Sequence, residues 1–178
     1  MKRLKEFDIS FAGLKSGKYQ FEYEIDNRFF EAFNYDDFVN SELKVSLEFI
    51  KKETLLELNF SAKGNVEVAC DISNEYYNQP IEGDISIVVK FGIDYNDDND
   101  ELIILPYEEH QINVAQFIYE MIVLATPTKR IHPAVLDGTM QSETLEKLEK
   151  LHPDYKKKED EIDPRWADLK KIITNKKI

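Results

Sequence analysis

Apolar and polar side chains alternate with a period of two through the N-terminal part of the chain, and this pattern constrains the fold most strongly. In the segment GKYQFEYEID, the apolar positions are Tyr19, Phe21, Tyr23 and Ile25. Successive side chains of a β-strand point to opposite faces of a sheet, so this spacing predicts strands with one buried face. The same spacing predicts strands at residues 7–11, 43–50, 54–62, 65–72, 84–93 and 101–105. Because short turns join consecutive strands, we expect mainly antiparallel pairing.

An aromatic segment, NRFFEAFNYDDFVN at residues 27–40, interrupts this alternation. Its large apolar side chains are Phe29, Phe30, Phe33, Tyr35 and Phe38. Large aromatic side chains are usually buried, so the segment is predicted to be a short irregular or helical element that closes one end of the sheet. An alternative hypothesis places a site at the Phe29–Phe38 cluster, in a small-ligand-binding protein or a hydrolase.

After the strands, the apolar period changes from that of a strand to that of a helix. Asn113 can cap a helix over residues 114–125, whose apolar side chains form one stripe. Residues 127–138 are predicted to form a loop, and Ser142 can cap a short helix over residues 143–151.

The C-terminal residues are rich in charge. Residues 154–161 consist mainly of lysine and acidic residues and are expected to be exposed and mobile. Asp163 can cap a last helix, with Pro164 in its first position and an end near Asn175.

The order of elements, strands first and helices last, favours an α+β fold. We expect a mainly antiparallel, curved β-sheet formed by the N-terminal two-thirds, with helices in the C-terminal third. Residues 1–138 are expected to form the α+β core domain. Residues 139–178 are expected to form a charged, partly mobile C-terminal arm that ends in a helix.

The formal net charge of −12 is distributed unevenly along the chain. Residues 1–60 carry 9 basic and 12 acidic side chains (−3), residues 61–126 carry 2 and 13 (−11), and residues 127–178 carry 12 and 10 (+2). The acidic middle segment would repel a phosphate backbone, so it is not expected to coat RNA. Its charge suits either solubility or the binding of a basic partner such as a ribosomal protein.

The sequence contains no motif typical of a catalytic or metal site, and we expect no enzymatic activity and no cofactor. Cys70 is in phase with the apolar residues of its predicted strand and has no histidine nearby, so we predict a buried, unreactive thiol. The spacing of His110, His132 and His152 matches no metal-ligand pattern. The acidic run Asp94–Glu101 lacks the glycine that a calcium loop carries at its sixth position, and it is predicted to connect two strands. Catalytic carboxylates need not be close in sequence, so a carboxylate-pair hydrolase stays open.

No segment suggests membrane insertion. The N-terminal MKRLKEFDIS is basic without a following apolar run, so we expect no signal peptide, and the longest apolar run, Met121–Ala125, is too short to span a bilayer. A single cysteine forms no intramolecular disulfide, which favours a reducing, cytoplasmic location.

Three segments, taken in order, resemble the YceD-like family, the large ribosomal RNA subunit accumulation proteins of bacteria and plastids. They are VEVACDIS at 66–73, INVAQFIYEMIVLATP at 112–127 and DPRWADLKKI at 163–172. The resemblance extends from about Leu14 to Ile173 and is most specific in the last segment.

One departure from the family concerns cysteine. Family members often carry a second cysteine three residues after the first, and some carry more after the long helix. Here Ser73 occupies the second position, and residues 128–133 contain no cysteine. If these cysteines bind a metal in relatives, the resemblance implies that this chain has no such site.

The resemblance implies a non-catalytic accessory protein of ribosome biogenesis. Such a protein would support accumulation of large-subunit ribosomal RNA by binding RNA, a basic large-subunit ribosomal protein, or both. The candidate partner-binding residues are Arg165, Trp166, Lys170 and Lys171, a basic cluster with an aromatic anchor. Two alternatives remain. Trp166 packs against its own domain instead of a partner, or the protein is an adaptor unrelated to ribosomes.

Overall fold

The computed structural model describes residues 4–99, 102–140 and 143–151. The predicted mobile segment 154–161 and the predicted helix 163–175 lie outside these ranges. The chain divides into two compact units, Met1–Thr139 and Met140–Ile178.

The first unit contains eight strands within its described residues. They are β1 (Asp8–Ser10), β2 (Gly17–Ile25), β3 (Asn40–Lys51), β4 (Leu55–Ala69), β5 (Tyr76–Gly92), β6 (Asn96–Asn99), β7 (Leu102–Pro106) and β8 (Gln111–Asn113). Its helices are α1 (Asn27–Ala32), α2 (Ala115–Ala125) and α3 (Pro133–Leu136), and a 3-10 turn covers Lys5–Phe7. In the second unit, α4 (Glu143–Leu151) is the described element, and it matches the predicted helix.

Six strands form an open sheet in the order β2-β3-β4-β5-β7-β6, and β1 and β8 form a separate antiparallel pair. Every pair in the large sheet is antiparallel except β5 with β7, which is parallel. The α+β prediction and the prediction of a mainly antiparallel sheet are therefore confirmed.

One face of the large sheet forms the core. Leu47 on β3 lies opposite Phe60 on β4, and Leu58 lies opposite Ile87 on β5, and all four side chains are buried. Alternate residues on these strands face solvent, which is the burial pattern that the period-two alternation predicts.

Helix α2 packs against β4 and β5 through the predicted apolar stripe. Ile118 and Ile122 are fully buried, and burial of each is worth about 1.5–3 kcal/mol. Gly83 permits the close approach of helix and sheet, because a Cβ atom at this position would lie 2.7 Å from the Cβ of Ala125. The N-cap residue is Val114, one residue later than predicted, but Asn113 Oδ1 still accepts a hydrogen bond from the N–H of Ala115, the first helical residue, at 3.1 Å.

The predicted turn between strands 54–62 and 65–72 is wrong, because residues 55–69 form one continuous strand. Gly64 lies within β4 opposite Leu43, and a side chain there would overlap the carbonyl oxygen of Glu42. The glycine therefore serves close packing of two strands and not a turn. The strand also ends at Ala69, so Cys70 lies in the following turn.

Three other predictions need correction: two segments predicted to lack regular structure, and the partner of the first strand. Part of the acidic run predicted as a connection forms β6, at the edge of the sheet, and pairs with β7. The predicted loop 127–138 contains α3, whose start is capped by His132 Nδ1 accepting from the N–H of Ala134 at 3.0 Å. The first strand pairs with β8 and not with its neighbour in sequence. Within the described residues, no helix is both long and apolar enough to span a membrane.

Candidate functional site

The predicted partner-binding residues Arg165, Trp166, Lys170 and Lys171 lie outside the described residues, and they stay a prediction. Three other features of the described residues are candidates for binding or catalysis: the aromatic segment, the surroundings of Cys70 and the acidic end of the large sheet.

The aromatic segment is mainly a packing element. Phe29 and Phe30 lie on α1. The side chain of Asp26 caps the start of this helix by accepting a hydrogen bond from the N–H of Arg28 at 3.0 Å. Both side chains are buried, and Phe30 contacts the buried Phe38 edge to face, with ring centroids 4.9 Å apart. The predicted helical element is confirmed.

A shallow depression of about 470 Å³ lies beside this cluster. Its lining residues are Asn27, Glu31, Asn34, Tyr35, Asp36 and Phe38. The lining supplies two carboxylates, those of Glu31 and Asp36, but no histidine, serine or cysteine, so it offers no serine–histidine or cysteine–histidine pair. The aromatic rings of Phe29, Phe30 and Phe38 are buried and contribute to the core.

Arg130 joins the segment after α2 to the aromatic segment. Its Nη2 lies 2.7 Å from Oδ2 of Asp37, and the hydroxyl of Tyr35 donates to the same oxygen at 3.4 Å. Burial, together with the negative charge of Asp37, raises the pKa of Tyr35 to about 12. The backbone of Arg130 is held as well, because its N–H donates to Oδ2 of Asp71 at 2.8 Å and its carbonyl accepts from the N–H of Asp71 at 2.7 Å.

Cys70 is 2% exposed, so the predicted burial is confirmed. Its sulfur accepts hydrogen bonds from the backbone N–H groups of His132 at 3.2 Å and Ser73 at 3.4 Å. Burial has the largest single effect on the thiol and opposes its ionisation, but the hydrogen bonds to sulfur outweigh it and lower the pKa to about 7. The predicted lack of reactivity therefore depends on inaccessibility and not on a high pKa.

The structure brings together the two segments in which relatives are expected to carry additional cysteines. Ser73 and the backbone of residues 130–132 both contact the Cys70 turn through hydrogen bonds. Among the residues that the structure describes, no group of three or more histidine, cysteine or acidic side chains is placed to bind a metal ion. Here the two segments are joined by the hydrogen bond from the N–H of His132 to the sulfur of Cys70 and by the two hydrogen bonds between Arg130 and Asp71.

The end of the sheet near β6 and β7 carries a groove that the sequence patterns did not predict. It has a volume of about 340 Å³ and borders the beginning of α2. We call it the acidic groove, and its principal lining residues are Tyr95, Leu105, Pro106, Glu109, Gln111 and Phe117. No lysine or arginine contributes to its lining.

Exposed apolar side chains line the acidic groove or lie within two residues of its lining in the sequence. Ile93 is 86% exposed, Tyr107 is 71% exposed and Tyr95 is 55% exposed. The N–H of Tyr107 donates to the carbonyl of Gly92 at 3.1 Å, which holds the loop after β7 beside the end of β5. Large apolar residues exposed together in this way are a typical feature of interaction surfaces.

Acidic side chains lie within three residues of the groove's lining in the sequence. Asp94, Asp97, Asp98 and Glu108 are all exposed, and none of them, nor Glu109, forms an ion pair within the described ranges. Burial, the hydrogen bond from Tyr95 to Asp97 and the charges of Asp97 and Glu120 raise the pKa of Tyr95. The electrostatic potential at the groove is therefore negative.

The acidic groove could not be read from a motif, because its residues come from a turn, a strand, a loop and a helix between positions 95 and 117. The one sequence signal was the net charge of −11 over residues 61–126, which suits either solubility or a basic partner and gives no location.

Comparison with known proteins gives one match. The family model described as "Large ribosomal RNA subunit accumulation protein YceD" matches residues 58–173, and it includes the Cys70 turn, the acidic groove and the C-terminal candidate residues. The match begins at Leu58, later than the start near Leu14 that the resemblance suggested. No curated protein and no solved structure matches the chain. Because the match covers well over half of the 178 residues, the chain belongs to the YceD family.

Proposed function

We propose that this protein is a non-catalytic accessory factor of ribosome biogenesis that supports accumulation of large-subunit ribosomal RNA. The family description names a role in accumulation of that RNA and names no reaction. A factor with this role acts where ribosomes are assembled, so we infer a cytoplasmic location.

The direct partner of the described core is inferred to be a basic ribosomal protein. The observation that carries this inference is the unneutralised acidic surface around β6, β7 and the start of α2, within the segment of net charge −11. A surface of this sign repels RNA phosphates and attracts lysine- and arginine-rich proteins, and it accelerates their association.

The C-terminal residues Arg165, Trp166, Lys170 and Lys171 are proposed to contact ribosomal RNA. A basic cluster attracts phosphates, and a tryptophan can stack on an unpaired base. The two contacts would then lie on different parts of the chain, with the protein partner on the acidic core and the RNA on the C-terminal residues.

The test is rescue of a strain that lacks the gene. We expect the ratio of large-subunit to small-subunit ribosomal RNA to fall in the deletion strain and to recover with the full chain. The variant in which Arg165, Trp166, Lys170 and Lys171 are all alanine should recover it only partly at equal protein level. An unchanged ratio after gene deletion would contradict the proposed function, and full recovery by the fourfold variant would contradict the RNA contact.

A further inference from the structure

The side chains at the acidic groove indicate which class of ligand fits it. Leu105, Pro106 and Phe117 contribute apolar side chains to the lining. Tyr95, which also lines the groove, and Tyr107, which follows the lining residue Pro106, are exposed aromatic residues. The faces of such rings attract cations, and the surrounding carboxylates strengthen this attraction. The groove is therefore complementary to a polypeptide segment in which a cationic side chain is adjacent to an apolar one.

RNA is the poorer fit to the same groove. A strand of RNA carries one negative charge per nucleotide, and Asp94, Asp97, Asp98 and Glu109 would all repel it. Base stacking on two tyrosines would have to overcome this repulsion without any lysine or arginine in the lining.

The neighbouring sheet edge indicates how a partner would be held. Strand β6 is the edge strand, has four residues, is fully exposed and pairs irregularly with β7. Short, charged and irregular edges disfavour addition of another strand. A bound segment would accordingly be held by its side chains more than by its backbone.

We propose that the acidic groove binds an extended, basic segment of a partner polypeptide, in which arginine or lysine contacts Tyr95, Tyr107 and the carboxylates while an adjacent apolar side chain enters beside Leu105 and Phe117. This inference rests on the proposed function and gives it a location and a partner chemistry.

The experiment uses the purified full chain and a fluorescein-labelled peptide that repeats arginine, leucine and glycine, with binding measured by fluorescence anisotropy. We expect saturable binding that weakens as salt is added, because exposed charges are screened. A peptide with glutamate in place of arginine should not bind, and one with serine in place of leucine should bind more weakly. Equal binding of all three peptides would overturn the inference.

Matched variants locate the contact. Asp94→Lys with Glu109→Lys converts two attractions into repulsions and should weaken peptide binding about tenfold. Glu22→Lys with Glu24→Lys makes the same change in net charge on the exposed side of β2, and it should weaken binding much less. Equal weakening by both pairs would overturn the inference, since binding would then depend on overall charge and not on the groove.

A second pair of variants tests the aromatic contact without altering charge. Tyr107→Ser should weaken peptide binding several-fold, whereas Tyr76→Ser, which removes a similarly exposed ring at the start of β5, should not. Single-stranded RNA should not compete with the peptide. Competition by RNA that is weakened by Tyr107→Ser but not by Tyr76→Ser would assign the groove to nucleic acid and overturn the inference.

The outcomes separate this inference from the function on which it rests. If the groove variants bind the peptide as the wild type does, while gene deletion lowers the large-subunit RNA ratio, the groove inference is wrong and the function stands. If the groove binds the peptide but gene deletion leaves the ratio unchanged, the proposed function is wrong and the groove is still a site for basic segments.

Discussion

Gly64→Ala is the substitution with the clearest expected effect on the fold. The added Cβ would lie 2.6 Å from the Cα of Leu43 and would overlap the carbonyl oxygen of Glu42, so backbone atoms of β3 have to move. Overpacking of this kind destabilises by about 1–3 kcal/mol, and more when backbone is displaced. Alanine lowers the entropy of the unfolded chain, which offsets only about 0.4–1 kcal/mol. We expect a net loss of about 2 kcal/mol.

Thermal and urea unfolding, followed by circular dichroism, measure this change. For a chain of this size, a loss of about 2 kcal/mol lowers Tm by about 4–8 °C. Gly13→Ala is the control, because nothing lies within 4 Å of its added Cβ and its backbone needs no positive φ. A Gly64→Ala protein as stable as Gly13→Ala would refute the continuous pairing of β3 with β4 at this position.

Three further predictions concern side-chain contacts. Asn113→Ala removes hydrogen bonds to Leu4 O at 2.9 Å and Asp8 Oδ1 at 2.7 Å as well as the cap of α2, and urea unfolding should show a loss of about 1–3 kcal/mol. Arg130→Ala should reduce stability by about 1 kcal/mol, since its partner is half exposed, and the effect should shrink in a background that already lacks that carboxylate. The Cys70 thiol should titrate with a pKa of about 7, below its ordinary value of 9.0. Because the folded pKa is depressed, stability should rise between about pH 7 and 9 and be lost as pH falls through 7; ultraviolet absorbance of the thiolate and urea midpoints, compared with Cys70→Ser, check this.

Periodicity predicted the elements that bury one face and little else. The stripe of α2 and the alternation of β3 follow directly from the need to cover a core, so the sequence alone indicates them. The burial of Cys70 was predictable for the same reason. The lowered pKa of its thiol was not, since it depends on the N–H of His132, far away in the sequence.

The sequence-based predictions that were wrong share a physical cause: tertiary contacts override local propensity. Gly64 looks like a turn residue, but a glycine is required there because the backbone of Glu42, on the adjacent strand β3, approaches closely. The polar residues of β6 have low strand propensity and form a strand only because β7 offers unpaired backbone groups beside them. The parallel pairing of β5 with β7 arises because β7 inserts between β5 and β6, which no local pattern specifies.

The acidic groove illustrates the same limit for function. Composition indicated a basic partner, but the groove exists only because Tyr95, Glu109 and Phe117 converge from separate elements. The opposite holds for the candidate residues of the predicted C-terminal helix. Their chemistry is evident from the sequence, but they lie outside the residues that the structure describes.

Sedimentation of a cell lysate through a sucrose gradient tests the central claim most directly. The protein is detected by blotting across the gradient, and ribosome profiles are compared with and without its gene. We predict that the protein sediments with precursors of the large subunit and that gene deletion produces a deficit of large subunits relative to small ones. A protein that stays at the top of the gradient, together with identical profiles, would contradict the assignment to large-subunit assembly.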